Sequence, residues 1–403
     1  MPEIILIQIS GEDKPGLTSS LTGVLAGYGI DILDIGQSVI HNQLVLGVLI
    51  RIPREAESAP VLKDIMFKGY EQGVNVKFKP IEGDKYMDWV SAQGKPRHII
   101  TLVGNKASGT AISKVANIIA ENGLNIDMIH RLSGRIPLNG EPAPRHACIE
   151  FSVRGTPTDL DLMRSSFLTM ATEEQVDIAL QEDNVFRRNR RLVAFDMDST
   201  LIQAEVIDEL AKAAGSGELV SSITESAMRG EIDFKESLRQ RLATLKGLDE
   251  SVMEDIAKKL PITEGAERLI SNLKKFGYKT AIISGGFTYF GEKLQERLGV
   301  DYVYANRLEI EDGKLTGGVI GDIVDGPKKA ELLQKIAEKE QISLQQAIAV
   351  GDGANDLPML SIAGLGIAFH AKPKVKKDAR QSISHFGLDS ILYLIGLRDR
   401  DTD

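Results

Sequence analysis

Two aspartates that end a short apolar run have the spacing and residue type for phosphoryl chemistry. Residues 192–200 read LVAFDMDST, and the first four are apolar, as in a strand buried on both faces of a parallel sheet. Ligands of such sheets bind beyond the carboxyl ends of the strands, where Asp196 is expected. A carboxylate there can hold a hard cation and attack phosphorus, and Asp198 can pass a proton to the leaving oxygen. Alone, the pattern also fits a helix cap.

Two later segments place polar side chains where neighbouring strands should end, and a third places a lysine at the start of a helix. YKTAIIS predicts a second core strand ending at Ser284, with two glycines whose backbone N–H groups suit a phosphate. QAIAV predicts a third that ends near Asp352, so Asp196, Asp198 and Asp352 would form an oxygen-rich site of the kind Mg²⁺ prefers. Lys329 opens a predicted helix, where the helix dipole disfavours a cation, and this indicates an anion nearby. Each segment by itself also fits a routine turn.

The elements around these residues predict a core sheet with a helical insertion. Residues 207–260 contain no strand-like stretch, so we expect a helical lid that excludes water from the reaction. RLEIEDGKLTGGVIG predicts a hairpin with its turn at Asp312 and Gly313. The charged run at 181–191 is expected to be a linker or a helix that enters the last domain, with basic residues that form a solvated face and no binding patch.

The first 180 residues contain an internal repeat. Each copy alternates β-α-β-β-α-β, the ferredoxin-like order, and LAGYGIDI in the first aligns with IAENGLNI in the second. The predicted domains are 1–82 and 97–181, followed by a third at 190–403. The segment between the two copies, near 81–97, is expected to be a linker because it carries Gly83, Gly94 and Pro96.

Composition and charge exclude several classes of protein. The 403 residues carry a net charge of −9, which argues against nucleic acid as a partner because phosphate backbones are bound by clustered cations. No apolar run approaches a membrane span and the first residues lack a basic leader, so we expect neither a membrane partner nor a signal peptide. Cys148 is the single cysteine, which indicates a reducing cytoplasm and a buried structural thiol.

Taken together, four motifs resemble those of the haloacid dehalogenase superfamily of phosphotransferases. They occur in order as DMDST at Asp196, ISGGF with Ser284, PKKAE with Lys329 and GDGANDLPM at Asp352. The residues between them are similar to the phosphoserine phosphatases of that superfamily, through LIQAEVIDELA, SAMRGEIDFKESLRQRLATL and YANRLEIEDGKLTG. The resemblance covers nearly all of 191–397. It implies an α/β fold with a Rossmann-like core and a helical cap at about 207–262.

The resemblance also implies a role for each matching residue. Asp196 would be the nucleophile, and Asp198 would protonate the serine oxygen and then activate water. Mg²⁺ would be held by the Asp196 side chain, the Asp198 backbone carbonyl and the Asp352 side chain. The residues implied to bind O-phospho-L-serine are Ser284, Gly285, Lys329 and Asn355 around the phosphoryl group, Glu205 at the ammonium, Arg241 at the carboxylate, and Met228 and Phe234 in the lid.

Both N-terminal copies resemble the ACT family of small-molecule regulatory domains. The first carries DKPGL, with Gly16, and later Asp31, whereas the second matches through Gly109 and Asn125 but lacks DKPGL. In the family, amino acids bind near the glycine turn and the next strand, often between paired domains. This implies Gly16, Asp31, Gly109 and Asn125 as effector residues and serine as one effector. ACT domains also associate with one another, so the resemblance implies a homodimer.

These features leave three functions to compare. The first is Mg²⁺-dependent release of L-serine from O-phospho-L-serine, the last step of serine biosynthesis. The second keeps the chemistry but changes the substrate to phosphothreonine, phosphohomoserine or another small phosphomonoester. The third is an amino-acid-sensing regulatory protein with a vestigial phosphatase half. The complete set of Asp196, Asp198, Ser284, Lys329 and Asp352 argues against the third.

Overall fold

The computed structural model describes residues 3–53, 57–139 and 145–402. The chain forms two compact units, residues 1–95 and residues 96–403. Within the described residues, no helix combines the length and the apolar character needed to cross a bilayer.

The first unit contains a four-stranded antiparallel sheet with two helices packed against it. Its strands follow the order β2-β3-β1-β4. The core is aliphatic and comes from alternate residues of the strands, such as Ile5, Ile7 and Ile9, packed against Leu17 and Leu21 of the first helix. The elements are β1 (Glu3–Glu12), α1 (Leu17–Gly27), β2 (Asp31–Ile40), β3 (Gln43–Ile52), α2 (Ser58–Gln72) and β4 (Asn75–Ile81). This is the predicted ferredoxin-like order.

The predicted linker contains a helix, α3 (Gly83–Ala92), that the sequence reading did not foresee. Its glycines and proline lie at the ends of the segment, and the residues between them include no helix breaker. Asp84 lies in the first turn, where an acidic side chain complements the helix dipole. No α3 residue is buried. The segment therefore does not need the apolar face from which an amphipathic helix is predicted.

The second unit begins with the repeat of this fold. Its four strands follow the order β6-β7-β5-β8, equivalent to that of the first copy. The elements are β5 (Arg97–Gly104), α4 (Gly109–Glu121), β6 (Asn125–Arg131), β7 (Ala147–Arg154), α5 (Leu160–Glu174) and β8 (Asp177–Glu182).

A seven-stranded sheet forms the centre of the second unit, in the order β12-β11-β10-β9-β13-β14-β15. All neighbouring strands are parallel except β11 and β12, which form the predicted hairpin with positive φ at Asp312 and Gly313. Helices cover both faces, so the central strands are completely buried. The strands are β9 (Leu192–Phe195), β10 (Lys279–Phe287), β11 (Tyr302–Glu311), β12 (Lys314–Ile320), β13 (Ala347–Gly351), β14 (Leu365–Phe369) and β15 (Gln381–Ile383).

The region predicted to be a helical insertion contains four helices and no named strand. They are α6 (Val206–Ala213), α7 (Gly217–Met228), α8 (Phe234–Ala243) and α9 (Ser251–Lys259). The remaining helices pack against the sheet or close its edge: α10 (Ala266–Lys275), α11 (Thr288–Leu298), α12 (Gly326–Lys339), α13 (Leu357–Ile362), α14 (Pro373–Asp378) and α15 (Ile391–Leu394). The α/β class and layered architecture are therefore as predicted, whereas the exact limits of the three domains stay a proposal.

The second ferredoxin-like fold is joined to the seven-stranded sheet by buried polar contacts. The Asp177 carboxylate accepts hydrogen bonds from the backbone N–H groups of Ser384, His385 and Phe386, at 2.7, 3.1 and 3.2 Å. Gln381 of β15 bonds both the N–H and the carbonyl of Leu180 in β8. These contacts explain why residues 96–403 form one compact unit.

The basic run before β9 is partly buried, so the expectation of a wholly solvated face was wrong. Arg187 is buried and forms an ion pair of 2.6 Å with Glu150 of β7. Arg190 is also buried, donates to the Gln181 side chain, and has its pKa lowered to about 10 by burial. Both arginines therefore help join the two folds of the second unit.

Candidate active site

Three neighbouring parallel strands bring the predicted chemistry to one edge of the sheet. β9 lies between β10 and β13, and the Asp196 N–H donates to Val350 O in β13 at 2.8 Å. The ends of β9 and β13 supply Asp196 and Asp352, as the sequence predicts, whereas β10 was predicted to end at Ser284 and continues to Phe287. Ser284 lies inside β10, at an irregularity in its pairing with β11 between Ile283 and Phe287. Such a break in a ladder redirects side chains toward a site.

Asp198 is held in a tight turn with its carboxyl group facing the strand that carries Ser284. Its Oδ1 accepts from the Val206 N–H at 3.0 Å, and a Cβ on Gly286 would lie 2.4 Å from its Oδ2. Burial, reinforced by the nearby Glu205 and Asp196 carboxylates, raises its pKa well above the ordinary value. Asp198 thus favours the protonated form, which is the form a general acid requires.

Lys329 is completely buried and lies between two carboxylates. Its Nζ is 2.9 Å from Asp196 Oδ1 and 2.6 Å from Asp356 Oδ1. Burial alone would lower the lysine pKa, but the two carboxylates raise it, so the ammonium stays charged. The position of Lys329 at a helix start predicted a nearby anion. The carboxylates of Asp196 and Asp356 supply this negative charge. Lys328 faces outward and pairs with Glu331.

Asp196, Asp352 and Asp356 form an acidic cluster that could hold a metal ion. One carboxylate oxygen of each lies within 4.8 Å of those of the other two. Burial raises the pKa of Asp352 to about 8, and the neighbouring carboxylates of Asp196, Asp356 and Glu205 add to this rise. Thr200 donates to Asp352 Oδ1 at 3.3 Å. A hard divalent cation fits this oxygen set and would offset the repulsion.

Both oxygens of Asp356 already have partners in the protein. Oδ1 pairs with Lys329, and Oδ2 accepts from the Gly353 N–H at 2.9 Å. Asp196 and Asp352 are therefore the better side-chain ligands for a cation. The third predicted ligand, the backbone carbonyl of Asp198, belongs to the turn after Asp196 and stays a prediction.

Three of the four predicted phosphate-binding residues line one cavity, whereas the fourth, Lys329, is buried against Asp196 and Asp356 and does not line it. Ser284, Gly285 and Asn355 all line it, and the Ser284 hydroxyl accepts from the Gly286 N–H at 3.0 Å. Asn306 fixes the glycine turn, because its amide donates to Gly285 O at 2.8 Å and its oxygen accepts from the Val324 N–H at 2.8 Å. The sequence reading missed Asn306, since an Asn within a strand carries no signal of a bond to a distant turn.

The cavity of about 1340 Å³ lies between the sheet edge and the helical cap. Glu205, Phe234 and Arg241 line it from the cap side, as predicted. Phe234 approaches the core so closely that a Cβ on Gly285 would lie 2.9 Å from its ring. The side chain of Met228, also predicted here, lies outside the described residues.

The two charged cap residues differ in their partners. Glu205 Oε1 accepts from the Ser199 hydroxyl at 2.7 Å, and Ser199 adopts a left-handed backbone with φ of 54°. The Arg241 side chain donates from Nε to Ser237 O at 3.3 Å and forms no ion pair with a described residue. Its guanidinium is thus available to an anion in the cavity.

The structure does not bring the predicted effector residues of each copy together. Gly16 precedes the 11-residue helix α1, whereas Asp31 follows it and pairs with Arg51. Gly109 is the first residue of the 13-residue helix α4, whereas Asn125 follows that helix and bonds Asp127. At 1.5 Å per residue these helices separate the paired positions by about 16 to 20 Å. One small amino acid cannot contact both members of a pair within one copy.

The fold and the cleft define a haloacid dehalogenase-like phosphatase that carries two ACT domains. A haloacid dehalogenase-like hydrolase model matches residues 193–361, and ACT domain models match residues 3–79 and 96–181.

Full-length relatives identify the family. Phosphoserine phosphatase SerB2 of Mycobacterium tuberculosis is 40% identical over 98% of this chain and 93% of that protein. The phosphoserine phosphatase of Streptomyces coelicolor is 39% identical over 99% of this chain and 93% of that protein. A structure of a probable phosphoserine phosphatase from Vibrio cholerae covers 74% of this chain and 86% of its own, with a TM-score of 0.59 and 35% identity. The chain belongs to the phosphoserine phosphatase family.

Proposed function

We propose that this protein hydrolyses O-phospho-L-serine to L-serine and phosphate through a phosphoaspartyl intermediate on Asp196, the last step of serine biosynthesis. The observation that carries the proposal is the cleft itself. The Asp196 carboxylate, the Asp198 carboxyl group with its raised pKa and the glycine turn after Ser284 face Arg241 and Glu205 across one cavity. The first three suit phosphoryl transfer, and the last two suit an amino acid.

In the first step, an Asp196 oxygen bonds to phosphorus while the bond from phosphorus to the serine oxygen breaks. The raised pKa of Asp198 keeps a proton there, and the leaving serine oxygen takes that proton. Lys329 lies 2.9 Å from Asp196, where it orients the carboxylate and balances charge on the transferred group.

In the second step, water attacks the phosphorus of the phosphoaspartyl group and the bond to Asp196 breaks. Asp198, now ionised, takes the proton from that water. Phosphate leaves, and Asp196 returns to its carboxylate form. Ser284, Gly285 and Asn355 hold the phosphoryl oxygens in both steps.

We propose Mg²⁺ as the cofactor, held by Asp196, Asp352 and the Asp198 carbonyl. The support is the buried oxygen-rich cluster and the raised pKa of Asp352. When bound, the ion neutralises negative charge on the phosphoryl oxygens.

Recognition of the amino acid is assigned to the cap. Glu205, fixed by Ser199, receives the substrate ammonium, and Arg241 donates two hydrogen bonds to the substrate carboxylate. Phe234 covers the phosphate side of the cleft. Met228 is retained as a lid residue on the sequence motif alone.

The test of this proposal is phosphate release from O-phospho-L-serine, O-phosphothreonine and a simple phosphomonoester, with MgCl₂ or with EDTA. We expect selective turnover of phosphoserine that EDTA abolishes and MgCl₂ restores. Titration of L-serine in the same assay reports any regulation. Absence of turnover on every ester would refute the proposal, and equal turnover of all three would refute the substrate assignment.

Arg241→Ala is expected to raise KM for phosphoserine by about 100-fold, because a charge-assisted bidentate hydrogen bond is lost. O-phosphoethanolamine carries the ammonium but no carboxylate, so its KM should not change. Arg239→Ala is the matched control, since Arg239 is on the same helix and 62% exposed. Equal losses on the two esters would contradict the assignment of Arg241.

The ACT domains are proposed to bind an amino-acid effector, with serine as the first one to test. Because Gly16 and Asp31 lie at opposite ends of α1, each site would need residues from another ACT domain. The predicted homodimer would supply such pairing. The proposed location is the cytoplasm, which suits the single buried thiol of Cys148.

A further inference from the structure

Four cations surround the entrance of the catalytic cleft. Arg229 and Lys235 lie on the cap side, and Lys372 and Lys374 lie on the side of the core. Asp233 is also exposed in this cavity, and six further carboxylates line it with the guanidinium of Arg241: Asp196, Asp198, Glu205, Asp208, Asp325 and Asp352. The wall of the cavity therefore carries more carboxylates than cations.

Three of the four entrance cations already have partners. Arg229 is 2.6 Å from Glu231, and Lys235 is 3.0 Å from Asp325. Lys372 also has an interaction partner. Lys374 is exposed and forms no ion pair with a described residue. Its positive charge is the least neutralised of the four.

The backbone that carries Lys374 is anchored to the core. Ala371 and Val375 on either side of it are buried. The His370 N–H donates to Ile383 O at 2.7 Å, and its ring bonds Phe386 O at 3.0 Å. Pro373 opens α14 and restricts its own φ. Lys374 thus projects from a fixed platform beside the cleft.

The substrate of the proposed reaction carries a net charge of about −2 near neutral pH, since its phosphate is close to fully ionised. Such an anion is repelled by the −9 protein as a whole and by the carboxylates that line the cavity. An unneutralised cation at the entrance offsets this repulsion and raises the local concentration of the anion.

We propose that Lys374 is a specificity-determining residue that attracts doubly charged phosphomonoesters into the cleft. This inference rests on the proposed function. Lys374 acts on the approaching anion at the entrance, and the reacting atoms lie deeper. Its contribution should therefore appear in KM and in the salt dependence of KM, and kcat should not change.

The experiment compares Lys374→Glu with Lys377→Glu in the full-length protein. Lys377 lies on the same helix and is exposed, but it does not line the cleft, so both variants change net charge equally. At about 20 mM salt we expect Lys374→Glu to raise KM for phosphoserine about fivefold. At about 0.5 M salt the difference should fall below about twofold, because screening removes long-range attraction. Lys377→Glu should match the wild type at both salt concentrations.

Two results would overturn the inference: equal KM values for the two variants at low salt, or a rise in KM for Lys374→Glu that salt does not reduce. Binding of inorganic phosphate, measured by calorimetry with the same variants, separates this inference from the proposed function. A wild type without turnover would refute the function. Loss of phosphate affinity confined to Lys374→Glu would still support the role of Lys374.

Discussion

Asp196→Asn should lower kcat on phosphoserine by at least about 10⁴-fold, because the amide cannot form the phosphoaspartyl intermediate. The side chain is nearly isosteric, so the fold should persist. Its oxygen can still accept from the Met197 N–H, which bonds Asp196 Oδ1 at 2.7 Å. The measurement is initial-rate phosphate release, with circular dichroism and thermal unfolding to verify the fold.

The control for this variant is Asp312→Asn in the β11–β12 turn. Asp312 has φ of 50°, a conformation that Asn also adopts readily, and it lies outside the cleft. This control should keep full activity. A folded Asp196→Asn protein that retained a tenth of wild-type turnover would show that another group is the nucleophile.

Lys329→Met should both inactivate and destabilise the protein. Without the ammonium, Asp196 and Asp356 lose the cation that lies 2.9 and 2.6 Å away, and both are buried. Removing one partner of a buried ion pair costs about 3 to 5 kcal/mol, because the remaining charge is desolvated and uncompensated. Activity should fall by about 10³-fold or more, since the nucleophile is misoriented and charge on the phosphoryl group is unbalanced.

Lys328→Met is the matched control for Lys329→Met. Lys328 is the preceding residue and pairs with Glu331 at the surface, so its removal should change the free energy of unfolding by less than about 0.5 kcal/mol. Urea unfolding of the two variants gives the comparison. Similar unfolding midpoints for both would contradict the account of Lys329 as a buried balancing charge.

The sequence predicts the sheet-edge residues well because their positions follow from strand period and chain direction. Asp196, Ser284 and Asp352 each end an apolar run, and parallel strands present such ends at one edge. Lys329 is predicted from local electrostatics at a helix start. Fold class follows from the same patterns, since alternation of strands and helices is a local property.

Contacts between distant segments are the part that the sequence could not predict. Asn306 bonds Gly285 and Val324, and Arg190 is buried against Gln181 of the second ACT domain. The residues next to each of them in the sequence do not indicate these contacts. For the effector residues, the sequence provides candidates but not the distances between them. The resemblance implies Gly16 and Asp31, often between paired domains, and helix α1 separates the two residues within one copy.

The buried carboxylate of Asp177 limits how this gene can be rearranged during evolution. A recombination point after residue 95 falls between compact units, whereas one after residue 182 divides the hydrogen bonds between β8 and the segment from Gln381 to Phe386. Three backbone N–H groups would then lose their acceptor, at a cost of about 1 to 3 kcal/mol for each that stays buried. Division of this chain after residue 182 is therefore expected to destabilise its phosphatase part, whereas division after residue 95 leaves these hydrogen bonds intact.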